Sequence, residues 1–377
     1  MHSKRIMIVV GEASGDLHGA QLVKSLLERD PTLDIFGAGG EHLRKQGLRV
    51  IFDVARLTGM GFSELRDNLG VLWEAYRLFR RALREDRPNL LILIDFPEFN
   101  LRLARLAKQL RIPVLYYIGP QVWAWRRRRI RKIAGSIDRM AVVFPFEAAL
   151  YEKEGVSVNF VGHPLLDIVR PTQTREATLL QYGLDSTKKT VVLLPGSRRR
   201  EVAYHLGPMV EAAERLAQKN DVQFLLLRAT TVDRRKIDEA IEKVSLPITV
   251  VEGDTYNVLN AADLAWLASG TATLEAALLR KPMVIVYRMA WLTYALARVL
   301  VKVEHIGMVN IIAGERVVPE LIQGELTGER IFQESEKVLE NSKLRVQTVK
   351  KLTGVREKLG TPGAADRVAE MAVSMLA

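Results

Sequence analysis

TVVLLPGSRRRE, residues 190–201, runs from apolar β-formers into Pro195, Gly196 and Ser197, then into Arg198, Arg199 and Arg200, with a helical pattern resuming from about Pro208. That is the order of a buried strand opening onto an anion-sized loop. Such a loop offers backbone N–H groups and a hydroxyl, and the arginines add charge that does not titrate away. A basic surface turn has the same composition, so the rest of the chain has to decide. Two other stretches repeat the pattern. Residues 6–10 form an apolar run followed by Gly11, Glu12 and Gly15, and a small-residue helix start, Ser269-Gly270-Thr271, follows the apolar run at 264–267.

Further apolar runs lie at 34–36, 90–95, 114–117 and 140–143, and in the second half at 223–227, 248–251 and 283–286, all separated by helical stretches. Such alternation predicts mostly parallel sheets that bind ligands beyond the carboxyl ends of their strands. A length of 377 residues accommodates two domains of this α/β, doubly wound kind. The boundary falls after Asp167, where a strand at 158–161 ends in Gly162-His163-Pro164 and a polar stretch runs to about Lys189. His163 reads there as a hydrogen-bonding linker residue.

Composition narrows the chemistry. There are no cysteines, which excludes disulfides and thiolate sites, and the six histidines stand at no metal-ligand spacing. No Asp-x-Asp occurs, so neither a metal nor another cofactor is expected. The apolar run after Met1-His2-Ser3-Lys4-Arg5 is too short for a signal peptide, which predicts a cytoplasmic protein. A net charge of +11 calls for an anionic partner: nucleic acid, a membrane surface or a phosphorylated substrate.

Individual residues sharpen this. Glu12 and Asp16 would repel a diphosphate, so the first loop suits sugar hydroxyls and the phosphates belong to the second half; Asp16 alternatively caps its own helix. Asp95 ends an apolar strand, where partial burial raises a carboxyl toward the range of a general base; a structural cap is the plainer reading. Glu275, about one turn inside the helix that starts at Thr271, either caps an exposed N–H or reaches a ribose diol. The helix at 65–83 sets Leu65, Leu69, Leu72, Trp73, Tyr76, Phe79 and Leu83 beside Arg66, Arg77, Arg80, Arg81 and Arg84, as a helix on an anionic membrane would, or a core-packed helix with a solvated rim. Trp123 and Trp125 precede six basic residues within 126–132, which keeps single-stranded nucleic acid open. The apolar stretch at 291–303 is too short to span a bilayer.

In order, GEASGD (11–16), IDFPEFN (94–100), VWAWR (122–126), FVGHPLLD (160–167), LLPGSR with EV (193–202), ASGTATLE (268–275), YRM (287–289) and N-x-x-A-G-x-x-x-V-P-E-L (310–321) resemble the lipid-A-disaccharide synthase family over nearly the whole chain. The resemblance implies two Rossmann-like domains of the GT-B type facing a cleft: 1–167 on the acceptor and membrane side, 168–345 for the UDP-sugar donor, and C-terminal helices at 346–377 returning to the first domain. It also implies inverting transfer from UDP-2,3-diacylglucosamine to 2,3-diacylglucosamine 1-phosphate, without a metal, at the cytoplasmic face of the inner membrane, by a homodimer. Carried onto this sequence, Asp95 is the base, Arg198 neutralises the departing UDP, and Glu12 and His18 orient the acceptor. Gly196, Ser197, Ser269, Gly270, Thr271, Glu275 and Asn310 bind the donor. Val309 and Gly119 depart from the family pattern, where proline and serine are common. Under this reading the basic and apolar surfaces serve an anionic membrane and no nucleic acid is needed. The alternatives are another UDP-sugar enzyme of the same fold, such as a UDP-N-acetylglucosamine 2-epimerase or a peptidoglycan transferase, and a basic nucleic-acid-binding protein.

Overall fold

The computed structural model describes residues 4–57, 69–120, 130–242, 244–291, 293–295 and 304–376. Trp123, Trp125 and the arginines at 126–129, with Leu65, Arg66 and most of 291–303, lie outside the described residues. The chain forms two compact units, Met1–Asp167 with Leu359–Ala377, and Ile168–Lys358.

The first unit is a seven-stranded parallel sheet in the order β3-β2-β1-β4-β5-β6-β7. Its strands are β1 (Arg5–Val9), β2 (Asp34–Gly39), β3 (Arg49–Asp53), β4 (Leu90–Ile94), β5 (Val114–Tyr117), β6 (Arg139–Val142) and β7 (Ser157–Phe160). Ile6 pairs with Leu90 and Val9 with Leu93, so the strand order reverses between β1 and β4. A reversal of this kind opens a crevice at the carboxyl ends of the two central strands.

The second unit has a six-stranded parallel sheet, β10-β9-β8-β11-β12-β13. Its strands are β8 (Lys189–Leu194), β9 (Val222–Arg228), β10 (Ile248–Glu252), β11 (Leu264–Ala268), β12 (Met283–Tyr287) and β13 (Glu320–Ile322). Here the order reverses between β8 and β11, the strands that lead into the loops at 195–198 and 269–271. Phe224 and Trp266 fill its core, and the buried Trp266 indole donates to Ser335 Oγ at 2.8 Å. Fully burying an aliphatic core side chain contributes about 1.5–3 kcal/mol.

Three sequence expectations need correction. Strands β3 and β13 were not anticipated, because a short charged run and a three-residue strand carry little periodicity. The helix after the Arg198 loop begins at Arg199, not near Pro208, and carries that proline inside it. The C-terminal return is also shorter than expected: the helix Ser342–Lys358 belongs to the second unit. It buries Leu352 and Val355, and Lys358 Nζ donates to the Ala313 carbonyl at 2.8 Å.

Only the helix Ala364–Leu376 packs on the first unit, against Ala13–Arg29. Ser25 Oγ donates to Asp366 Oδ1 at 2.6 Å, and the Arg367 guanidinium reaches the Val161 carbonyl at 2.8 Å. Gly162, at φ +76°, is required where the two segments meet, since a Cβ there would stand 2.8 Å from the Thr361 carbonyl.

Candidate active site

At the crevice of the first sheet, β1 and β4 deliver Glu12 and Asp95. Asp95 and Phe96 both adopt left-handed backbone conformations, at φ +49° and +50°. Each costs on the order of 1–3 kcal/mol for a residue other than glycine. The surroundings hold the turn in place: Tyr116 Oη donates to the Asp95 carbonyl at 2.6 Å and Asn100 Nδ2 at 2.8 Å, while the Asp95 N–H donates to Tyr117 O at 3.2 Å. Asn100 also reaches the carbonyls of Val9 and Ile94, tying the ends of the two central strands together. Burial and then the negative charge of Glu12 push the Asp95 carboxyl up to about 6, against a smaller opposing pull from the Phe96 N–H. A carboxylate with that value is ionised at neutral pH and still a competent proton acceptor.

Phe96 explains the glycine that opens the first motif. A Cβ on Gly11 would lie 2.1 Å from the Phe96 ring. From Phe96 the rings continue, stacked on Phe99 at 5.3 Å, edge-on to Tyr76 and stacked again on Trp73. Trp73 and Leu69, which the spacing sets on the same side of their helix (Leu69–Glu85) as Phe79 and Leu83, are 59% and 65% exposed, whereas Phe79 and Leu83 are buried. The acid at the strand end therefore connects through aromatic rings to an apolar, arginine-studded surface, a link that sequence spacing does not reveal.

The other acidic residue of the first loop does something else. Asp16 is buried and accepts from the N–H groups of Gly40 at 2.6 Å, His42 at 3.0 Å and Leu43 at 3.3 Å. It caps the neighbouring short helix Glu41–Lys45 instead of its own. Glu12 is exposed and makes no capping bond. His18 has a buried Nδ1 without a hydrogen-bond partner among the described residues, and burial holds its pKa down to about 4. His163 stands within its electrostatic reach and is lowered to about 3, by burial first and His18 second. His163 Nδ1 accepts from the Leu165 N–H at 3.2 Å, and its own N–H donates to Leu359 O at 2.9 Å.

In the second unit the loop at 195–198 is not an empty anion cradle. The N–H groups of Ser197 and Arg198 donate to Glu201 Oε2, at 3.0 and 3.3 Å. Gly196, at φ +127°, leaves room for that carboxylate, which a Cβ would approach to 2.6 Å. The expectation that the loop's backbone donors are free is thereby corrected at Ser197, whose amide, like that of Arg198, is occupied by an internal carboxylate. Arg198 is the charge the loop presents outward; its side chain is 64% exposed and 3.5 Å from Glu201 Oε1.

At the end of β11 the situation is different. Ser269 is anchored by its N–H to Val286 O at 3.0 Å and by Oγ to Ile306 O at 3.3 Å. The helix Thr271–Leu278 begins at Gly270 with no side-chain cap, and Gly270 and Thr271 are exposed. First-turn N–H groups left uncapped attract an anion. Glu275 does not cap them. Burial pushes its carboxyl up to about 7, and Tyr256 lies near enough to feel its charge.

Asn310 is buried and fully engaged. Its Nδ2 donates to Val318 O at 2.9 Å and Glu320 Oε1 at 2.8 Å, and its Oδ1 accepts from the N–H groups of Val317 and Val318 at 2.8 and 3.0 Å. An amide has no further capacity of this kind. The expectation of a donor contact from Asn310 is corrected to a scaffold role. Sequence reading also missed His205, a fully buried residue discussed below.

A family model described as lipid-A-disaccharide synthetase matches residues 6–372. The chain is 46% identical over 375 residues to the lipid-A-disaccharide synthase of Geobacter metallireducens, covering 99% of this chain and 98% of that one. To the same-named protein of Syntrophus aciditrophicus it is 47% identical over 379 residues, covering 100% and 99%. Among solved structures it is similar to S. aureus MnaA with UDP, at a TM-score of 0.69 and 14% identity over 99% of this chain and 97% of the other. The kitacinnamycin glycosyltransferase gives a TM-score of 0.65 at 17% identity, with both chains covered in full at 100%. Identities this low speak to the fold alone.

Proposed function

The chain belongs to the lipid-A-disaccharide synthase family, and from that membership we propose how its own residues carry the reaction. It is a glycosyltransferase of the GT-B type that joins UDP-2,3-diacylglucosamine to 2,3-diacylglucosamine 1-phosphate, giving the β-1′,6-linked disaccharide 1-phosphate and UDP. In our reading the acceptor 6-hydroxyl gives its proton to Asp95 as its oxygen attacks the anomeric carbon of the donor. The bond from that carbon to the UDP oxygen breaks on the opposite face, so configuration inverts and the electron pair leaves with UDP.

The observation that supports this most is Asp95: an acid raised to about 6, on a strained turn, at the crevice of the first sheet. Glu12 keeps it basic by like-charge repulsion, and the neutral His18 imidazole orients the acceptor by hydrogen bonding. On the donor side, Arg198 neutralises the charge that develops on UDP, and the uncapped amides at Gly270 and Thr271 hold the diphosphate. Glu275 takes the ribose diol. The deciding assay is UDP release from the two acylated sugars in detergent with EDTA, for the parent and Asp95→Asn. Activity in the parent with near loss in the variant supports the assignment; an unimpaired variant removes Asp95 from the chemistry. Conversion of UDP-N-acetylglucosamine, which carries no acyl chains, into its C2 epimer would instead favour an epimerase.

The same proposal assigns the protein to the cytoplasmic face of the inner membrane as a peripheral protein and homodimer. No described helix is long and apolar enough to cross a membrane. Exposed Leu69 and Trp73 beside exposed Arg77, Arg80, Arg81 and Arg84 suit an anionic bilayer surface. Flotation with anionic vesicles is expected to show binding that weakens with salt, and light scattering to give twice the chain mass.

A further inference from the structure

His205 is fully buried on the helix Arg199–Lys219, one turn beyond Glu201, and both of its ring nitrogens are used. Nδ1 is 2.8 Å from the Pro195 carbonyl, and Nε2 is 3.0 Å from the Arg288 N–H. A carbonyl only accepts and an amide N–H only donates. The proton therefore sits on Nδ1, Nε2 is bare, and the ring is neutral. Burial acts in the same direction, lowering its pKa.

These two bonds tie together two strand ends that the sheet itself links only through β11. Pro195 begins the loop that carries Arg198, and the same helix face already holds that loop's amides through Glu201. Arg288 follows β12 directly, and its guanidinium is fixed on the carbonyls of Gln323 and Leu326. Two residues earlier, Val286 O accepts the Ser269 N–H, which anchors the start of the Thr271 helix. An unbroken path thus runs from the Arg198 loop through His205 and the end of β12 to the uncapped helix start.

We propose that His205 is a positioning residue that holds the Arg198 loop and the Thr271 helix start at the spacing a nucleoside diphosphate requires. The inference rests on the donor-side reading above, but the physical link it asserts does not. Leucine at this position fills similar space and leaves a buried carbonyl and a buried N–H without partners. Glutamine restores one donor and one acceptor.

The test uses the full chain with His205→Leu, His205→Gln and His205→Asn. Hydrogen–deuterium exchange without ligand reads segments 195–201 and 285–289, calorimetry reads UDP affinity, and steady-state rates give KM for each substrate. The leucine variant is expected to exchange faster at both segments, to bind UDP at least about tenfold more weakly, and to raise KM for the UDP-sugar while leaving KM for the acceptor in place. Glutamine is expected to restore most of this. Asparagine, which keeps only the Nδ1-side donor, should loosen 285–289 alone, and it serves if the leucine variant does not fold. Parent-like UDP binding in the leucine variant, uniform acceleration of exchange across the second unit, or failure of glutamine to rescue would each overturn the proposal. A parent that binds no UDP would sink the donor-side reading instead, with the exchange pattern still deciding the link.

Discussion

The two units share one plan and differ in sign at the same place. Where strand order reverses in the first sheet, the strand ends carry Glu12 and Asp95; where it reverses in the second, they carry Arg198 and an uncapped helix start. Backbone topology makes the crevice in both cases, and a handful of residues just past the strand ends decide whether it is acidic or suited to an anion. The loops also differ in what is already satisfied. Asp16, Glu201 and Glu320 each occupy backbone N–H groups at a helix start, whereas the start at Thr271 has no such occupant among the described residues. Glycine-rich loops that look alike in sequence are therefore of two kinds, filled and open.

This contrast breaks first at Asp95. Asp95→Asn keeps the shape of the turn and removes the base, so kcat should fall by roughly 10²–10⁴-fold with the thermal midpoint nearly unchanged. In the second unit, Arg198→Ala should cost on the order of 10²–10³-fold in kcat, if the proposed neutralisation of the leaving group is lost. Arg198→Lys should recover part of that, because a point charge replaces the planar fork. If the open helix start and not the filled loop holds the nucleotide, Glu201→Gln will weaken UDP binding less than Glu275→Gln, for which we expect about a tenfold rise in donor KM.

Asn310→Ala sharpens the distinction between scaffold and contact. It strands the Val317 and Val318 amides and should lower Tm by roughly 5–10 °C, read by calorimetry, with donor KM close to the parent's. The smallest expected effect is the most diagnostic. As the proposed base, Asp95 acts only when ionised, so the acid limb of kcat/KM should lie near pH 6, with the rate lost as pH falls through it. Glu12→Gln removes a repelling charge, lowers the Asp95 pKa and moves that limb to lower pH. An unmoved limb in this variant would point to Glu275, raised to about 7, as the group being titrated.

The alternating apolar runs made the two α/β units legible, because buried parallel strands leave continuous hydrophobic stretches that nothing else explains. Asp95 was legible for the same reason: five buried residues precede it, and an acid there stands out. What stayed hidden depends on residues that return from elsewhere. Whether Asn310 faces a ligand or its own chain is decided by Val317, Val318 and Glu320 folding back over it. Neither reading of Asp16, sugar hydroxyls or a cap on its own helix, includes Gly40, because the turn there cannot be foreseen from the first loop. His205 stays hidden because a helical pattern beginning near Pro208 leaves it outside the helix Arg199–Lys219, where it stands one turn from Glu201.

The helix Ala364–Leu376 has a consequence for how the molecule is made. Ser25 waits for Asp366, a partner 341 positions later in the chain. During translation the first Rossmann-like unit emerges early but lacks this helix until residues 364–376 have left the ribosome, while the second, continuous from Ile168 to Lys358, has everything it needs sooner. The unit that carries the proposed base is thus completed after the second one, and a nonsense codon just ahead of Ala364 damages the unit built by residues 4–167 while sparing Ile168–Lys358.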